Sequence, residues 1–418
     1  MTDDDLCGCD EYGISRRSIL KAAGVAAMAG VTTSMFGDVL TSTVFGAVDG
    51  NILVVVSLRG GADGLSMIVP HAESAYYAAR PAVSIAANRL VNADATFGLH
   101  PAFAPLSAMW SAGQVAGLHA IGLPAPNRSH FEAMELLEDA DAGSSERVGW
   151  INRMISGLAS SPDVFDGMQI GSSITPTSLV GPAVATATAD FTDLTLPFGS
   201  DVTLETRVTA GLRAQYTEHG GPVGEAGINA LSLASRSAAI NDVVTGGPKS
   251  GAVYPAGSPL GNALKTTAGL IRAKVGVKAV AVDSGGWDHH VDLNGRVQST
   301  IADLASSLAA FFVDLGPDAE RVTVVTLSEF GRRLRQNGAF GVDHGYGNAV
   351  FALGAGVKGG KYYSRWPTLG SGSQIDGDLA VTTDYRSVLT EILRSRFPSV
   401  DVSKVFPGVV EAPLGFMR

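Results

Sequence analysis

Acids, histidines and a serine recur in this sequence in short groups rich in glycine. Gly285-Gly286-Trp287-Asp288-His289-His290 sets a carboxylate beside two imidazoles, and Gly341-Val342-Asp343-His344-Gly345-Tyr346-Gly347-Asn348 again places an acid next to a histidine. Leu58-Arg59-Gly60-Gly61-Ala62-Asp63-Gly64-Leu65-Ser66 offers a further acid, Asn127-Arg128-Ser129-His130 a hydroxyl beside an imidazole, and Ser328-Glu329-Phe330-Gly331-Arg332-Arg333 a carboxylate with two guanidiniums. Imidazole nitrogens and carboxylate oxygens are the donors that zinc, manganese and similar divalent ions accept. A hydroxyl close to such an ion becomes a nucleophile as its pKa falls, and arginine is the side chain that clamps anionic oxygens two at a time. In a chain with only 8 histidines such grouping needs a cause.

Each group follows or precedes a short apolar run. Asn51 to Leu58, Gln114 to Ile121, Val277 to Val282, Val322 to Leu327 and Ala349 to Leu353 are rich in β-branched residues and mostly lack alternation, the pattern of strands buried on both faces. Between them the spacing predicts helices over Pro101 to Ser111, Ser129 to Ala140, Arg296 to Leu315 and Asp384 to Phe397. Strands alternating with helices predict an α/β fold wound on a parallel sheet. In such sheets ligands bind beyond the carboxyl ends of strands, where all five groups fall. From about Ser156 to Gly251 the chain turns to Ser, Thr, Gly and Ala with proline punctuation, and reads as an insertion or cap within a domain over residues 48–418.

Taken singly, every residue has a plain structural role. Asp63 among glycines suits a turn, and Ser129 suits a helix cap. Glu329 and Arg332 suit a solvated pair, His344 a hydrogen-bonded loop residue, and one of the adjacent His289 and His290 must face away from the other. What favours chemistry is that five such accidents would have to coincide at one edge of one sheet.

Composition narrows the partners. At 45% hydrophobic and 17% charged the chain has material for a large core, and 30 basic against 40 acidic residues, with no basic run, exclude a nucleic-acid surface. Near the N-terminus, Ser15-Arg16-Arg17-Ser18-Ile19-Leu20-Lys21 precedes the small apolar stretch Ala22 to Val31, too short for a membrane span. It reads as a twin-arginine export signal over residues 1–47, implying the twin-arginine translocase as partner and a periplasmic, cell-surface or extracellular destination. Cleavage near Val44 to Ala47 would remove Cys7 and Cys9, leaving histidine, carboxylate, hydroxyl and water as metal donors and no stable membrane span in the mature chain.

The ordered set LRGGADGLS, NRSHFEA, GGWDHH, TLSEFGRR, DHGYGNAVFALGAGVKGG and TDYRSVL resembles the domain of unknown function 1501 family, exported proteins placed in the alkaline phosphatase and sulfatase superfamily. The resemblance runs from about Asn51 to the C-terminus. It implies an alkaline-phosphatase-like three-layer sandwich with a mostly parallel central sheet, and a metal-assisted nucleophile. Carried across, it implies metal ligands at Asp63, Asp288, His290 and His344, with Ser129 as nucleophile and His289 freer. Where active superfamily members have Asp-His, this chain has Ser328-Glu329, so a second ion would depend on Glu329. The implied chemistry is hydrolysis of a phosphate or sulfate ester, with one or two divalent ions about four ångströms apart. Arg128 or Arg332 would clamp an anionic small molecule or polysaccharide. Asp343 and Asn348 would orient His344, and His130 and His289 would support the site. The alternative is a degenerate, metal-holding surface protein that binds a partner or polysaccharide without turnover.

Overall fold

The computed structural model describes residues 50–141, 143–158, 163–196 and 202–418; the expected export signal over residues 1–47 lies outside the described residues. β1 (Ile52–Leu58) buries all seven of its residues. Ile52, Val54, Val56 and Leu58 enter one apolar cluster, while Leu53 and Val55 enter a second on the opposite face. Alternate side chains of a strand point to opposite faces, so two separate cores on one strand mean a covered sheet on both sides. The first core is roofed by α5 (Pro259–Arg272) and α6 (Leu293–Leu315), through Leu264, Leu270, Ile301, Leu304, Leu308 and Phe311. The second is roofed by α1 (His130–Asp139), α2 (Trp150–Leu158) and α7 (Tyr385–Arg396), through Leu137, Ile151, Ile155, Leu389 and Ile392. Each such side chain contributes about 1.5–3 kcal/mol on burial.

The central sheet has nine strands. The others are β2 (Val115–Gly122), β3 (Gly167–Ile170), β4 (Ala185–Thr188), β5 (Ala279–Ser284), β6 (Val322–Leu327), β7 (Asn348–Gly354), β8 (Lys361–Tyr363) and β9 (Thr383–Asp384). Their order is β8-β2-β7-β6-β1-β5-β3-β4, with β9 beside β2. β1 is parallel to β5 and β6, with Ser57 level with Asp283 and Leu327. β7 alone runs against its neighbours β2 and β6. The sheet is therefore mostly parallel, the fold class expected from the sequence, with one reversed strand. That reversal matters for the site: the loops after β1, β2, β5 and β6 share one rim, and the segment entering β7 starts at the same rim.

Residues 156–251 depart from the reading as a cap. β3 and β4 lie in this segment and extend the main sheet in parallel beyond β5. They are four residues each, one of them the alternating Ala-Thr-Ala-Thr, too short and too mixed to stand out as apolar runs. The segment continues as α3 (Val202–His219) and α4 (Gly221–Thr245), and α4 lays Leu233, Ile240 and Val244 into the same core as α5. The stretch Leu293–Arg321 is long and apolar enough to cross a membrane by length and composition, with half of its most apolar window buried, as the α6 contacts to the sheet require.

Candidate metal centre

Loop packing sets the site. After β1 the chain turns through Gly60 at φ +115° and Gly61 at φ +66°, a region that favours glycine. A Cβ on Gly60 would stand 2.8 Å from the Asp288 nitrogen, and one on Gly61 2.4 Å from the Phe330 ring. The β1 loop is thus pressed between the β5 and β6 loops with no space for side chains. Arg332 pins this junction. Its fully buried guanidinium donates to the carbonyls of Gly61 (2.5 Å), Val342 (3.1 Å) and Gly60, and to Asp288 Oδ1 at 2.5 Å. Gly345 then packs on the Arg332 backbone, where a Cβ would meet its carbonyl carbon at 2.3 Å, and this brings His344 alongside.

Three imidazoles and one carboxylate meet there. His290 Nε2 lies 3.0 Å from Asp288 Oδ1 and 3.0 Å from His344 Nε2. His344 Nε2 is 3.5 Å and His130 Nε2 3.8 Å from the same Asp288 oxygen. One donor atom from each of His130, Asp288 and His344 lies within 4.8 Å of the others. The buried Phe330 ring backs the pair, with centroids 4.8 Å from His130 and 4.7 Å from His344. Burial would raise the Asp288 pKa, but the hydrogen bond and charge of Arg332, then His290 and His130, hold it below the usual carboxylate range. Burial holds the His344 imidazole below the ordinary histidine range, helped by Arg332, His130 and His290 and opposed by a hydrogen bond to the Arg128 carbonyl.

The far nitrogen of each ring decides what the near one can do. His130 Nδ1 bonds Glu329 Oε1 at 2.9 Å, His290 Nδ1 bonds Asp343 Oδ1 at 2.9 Å, and His344 Nδ1 bonds the Arg128 carbonyl at 2.9 Å. Carboxylates and carbonyls only accept, so in each neutral ring the proton sits on Nδ1 and Nε2 carries a lone pair, which on His290 also lies 3.4 Å from Arg332 Nη1. Three such nitrogens and a carboxylate oxygen then face one another, an arrangement that suits a bound cation. Metal-bound histidines are oriented in this way, each by an acceptor on its other nitrogen. The donor set therefore fits a divalent metal with nitrogen and oxygen ligands.

Several expected roles change. Asp63, expected as a ligand, is fully buried and gives both oxygens to Arg80 (2.5 and 2.9 Å), with Ser66 also donating to it. Glu329, expected to frame a second ion, is spent on His130, on the Gly60 N–H (2.8 Å) and on Ser328. Arg332 is occupied by carbonyls and Asp288, and Arg128 by the buried Asp378, so neither guanidinium stands free as an anion clamp. Asp343 orients His290 instead of His344. Asn348 bonds the Phe330 carbonyl and the Ala349 N–H, bracing the β7 entry without touching His344. The adjacent histidines part: His290 joins the cluster, while His289 is buried against Trp287, with Nε2 3.4 Å from Thr300. Ser129 is the residue before α1, exposed, with no side-chain bond to the helix end.

His130 supplies a donor atom although the sequence reading gave it only a supporting role. Its sole signal was position, directly after the serine at a strand end. Arg80 and Asp378, which occupy the expected site residues, carry no local motif at all.

Fold and site together define a class of architecture: a three-layer α/β domain with a His/Asp cluster at the carboxyl rim of its sheet. The chain belongs to the family described as "Protein of unknown function (DUF1501)", whose model matches residues 116–387. No curated protein matches the sequence. Among solved structures, the C-terminal periplasmic domain of EcEptC from Escherichia coli, in complex with Zn, is similar over 73% of each chain at 10% identity and a TM-score of 0.31. The PsFucS1 sulfatase from Pseudoalteromonas sp. is similar over 97% of this chain and 78% of its own, at 10% identity and a TM-score of 0.34.

Proposed function

We propose that this protein is an exported, metal-dependent hydrolase of phosphate or sulfate esters, with one divalent cation held by His130, Asp288 and His344 and a fourth donor from His290. The observation that carries the reading is the convergence of Nε2 atoms whose rings are each fixed through Nδ1. Zinc and manganese both suit such a donor set. A second ion is not part of the proposal, because Asp63 and Glu329 are already bonded elsewhere.

When bound, the cation would act as a Lewis acid toward the oxygens of the transferring group. Ser129 supplies the attacking hydroxyl. Its Oγ bonds to phosphorus or sulfur, its proton leaves with the departing alcohol, and water then releases the inorganic acid and restores the serine. The first turn of α1 adds backbone N–H donors toward the anion. Glu329, Asp343 and the Arg128 carbonyl hold the three rings in place, and Arg332 fixes Asp288.

A second reading, metal binding without turnover, has one observation in its favour: both arginines near the cluster are already paired. Metal analysis, combined with aryl phosphate and aryl sulfate assays of the wild type and Ser129→Ala, separates the two. Bound metal with a serine-dependent rate supports the hydrolase. Metal without turnover supports the binding protein, and a metal-free protein ends both readings. For export, replacing Arg16 and Arg17 together by lysine is expected to leave the protein in the cytoplasm.

A further inference from the structure

A cleft of about 500 Å³ opens beside the cluster, within the range of about 300–1,000 Å³ typical of ligand sites. Part of its wall is made of small apolar groups, Ala75, Ala78 and Ala79 with Leu334 and Leu369. Facing them is a polar side. Arg335 lines the cleft, is exposed, and has no hydrogen bond or ion pair among the described residues. Arg333 donates to the Asp376 carbonyl at 3.1 Å and lies 3.8 Å from Asp378. Gln336 accepts the Ala82 N–H through Oε1 at 2.9 Å, leaving its NH₂ without a partner among the described residues.

One acid shares this wall. Asp343 accepts from both His290 and Asn337 (3.0 Å). What remains available is a surplus of donors, and the lining sets two guanidiniums, Arg333 and Arg335, against the single carboxylate of Asp343. Through Asp343, which bonds His290, the cleft wall adjoins the His/Asp cluster.

We infer that this cleft holds the non-reacting body of an acidic oligosaccharide whose ester group lies at the cluster, an inference that rests on the hydrolase reading above. A sugar ring sets an apolar C–H face against alanine and leucine methyls while its hydroxyls and carboxylate accept from arginine and glutamine. A peptide suits the wall less, since it brings N–H donors to a surface already rich in donors.

The test uses isothermal titration calorimetry of the full exported protein with tetragalacturonate, which carries no ester to hydrolyse. Neutral cellotetraose and tetraglutamate are the comparison ligands. Saturable binding of tetragalacturonate, at least tenfold tighter than cellotetraose and weakened at least tenfold by Arg335→Gln, is the expected result. Unchanged metal content in that variant would show that the cluster remains intact, and Arg335→Glu should weaken binding further. The inference is overturned by absent binding, by equal affinity for the neutral sugar, by preference for tetraglutamate, or by undiminished affinity in Arg335→Gln. Because the probe is unreactive, saccharide binding without turnover of any aryl ester would sink the hydrolase reading alone, and turnover without saccharide binding would sink the cleft alone.

Discussion

Asp63 and Asp288 each follow a sheet strand at the same rim, and each is paired with an arginine, yet they do different things. Asp63 is wholly enclosed and held by two guanidinium nitrogens of Arg80. Asp288 has half of its side chain exposed, takes a single nitrogen of Arg332 on Oδ1, and shares that oxygen with the histidines. An enclosed, doubly bonded carboxylate is part of the framework, since a metal could be bound there only by stranding Arg80 in the interior. A half-open carboxylate with one pinned oxygen is positioned and still accessible. At this rim, what separates scaffold from chemistry is how many of the acid's lone pairs are already taken.

The largest expected effect comes from breaking the enclosed pair. Arg80→Ala should destabilise the fold by about 3–5 kcal/mol, the usual cost of leaving one member of a buried ion pair uncompensated. Chemical denaturation of the purified protein measures it, and a loss under about 1 kcal/mol would remove Asp63 from the framework. By contrast, Asp63→Asn should leave metal affinity at the cluster unaltered.

The enclosed side has a pH signature as well. His119 on β2 is buried beneath this region, bonding the Ile68 carbonyl through Nε2 and the Ala120 N–H through Nδ1. Burial is the main cause of its pKa falling to about 4 from 6.5. The unfolded chain therefore takes up a proton first as the pH drops, so stability is full above 6.5 and declines from there toward 4. One such histidine removes roughly 3 kcal/mol over that window. Unfolding free energy measured across pH 4 to 7 should show this slope, and His119→Gln should flatten it; an unchanged slope in the variant would assign the uptake to other groups.

How far this contrast was readable beforehand follows from where the partners sit. β6 matches its apolar run residue for residue and β1 does so within one residue, because long β-branched stretches buried on both faces leave a clear signal. β3 and β4 left none, being short and mixed. The rim positions of Asp288, His290 and His344 were visible as acid and histidine beside strand ends. The status of Asp63 was not, since Arg80 lies 17 residues on, just past the short helix Ser74–Ala79, and only the folded chain brings the two together. Arg332 likewise reaches Asp288 across 44 residues, so a guanidinium that looked free for substrate proved to be a brace. Sequence spacing locates groups at a rim; which of them remain unpaired is decided by tertiary contacts.

On the open side the expected changes are smaller in energy. Glu329→Gln keeps the shape but replaces the oxygen that fixes His130 Nδ1, and Asp343→Asn does the same for His290. Losing an orienting partner of this kind typically costs about 10–100-fold in metal affinity. Competition with a chromogenic chelator reads it directly, and an unchanged affinity in both variants would mean the rings are placed by packing alone, His130 on Phe330 and His290 on His344.

Ser129→Ala should have the smallest effect on stability and yet the most informative one. A serine before a helix usually satisfies a backbone N–H, and removing it then costs about 1 kcal/mol. Here the side chain makes no such bond, and the residue is exposed. Thermal unfolding of the variant should therefore stay within about 0.5 kcal/mol of the wild type, as for surface changes away from special contacts. If ester turnover collapses while the fold and the metal content are retained, the hydroxyl is present for chemistry. If stability falls by a full cap's worth and turnover persists, Ser129 joins Asp63 in the framework, and the open side of the rim consists of the His/Asp cluster without a protein nucleophile.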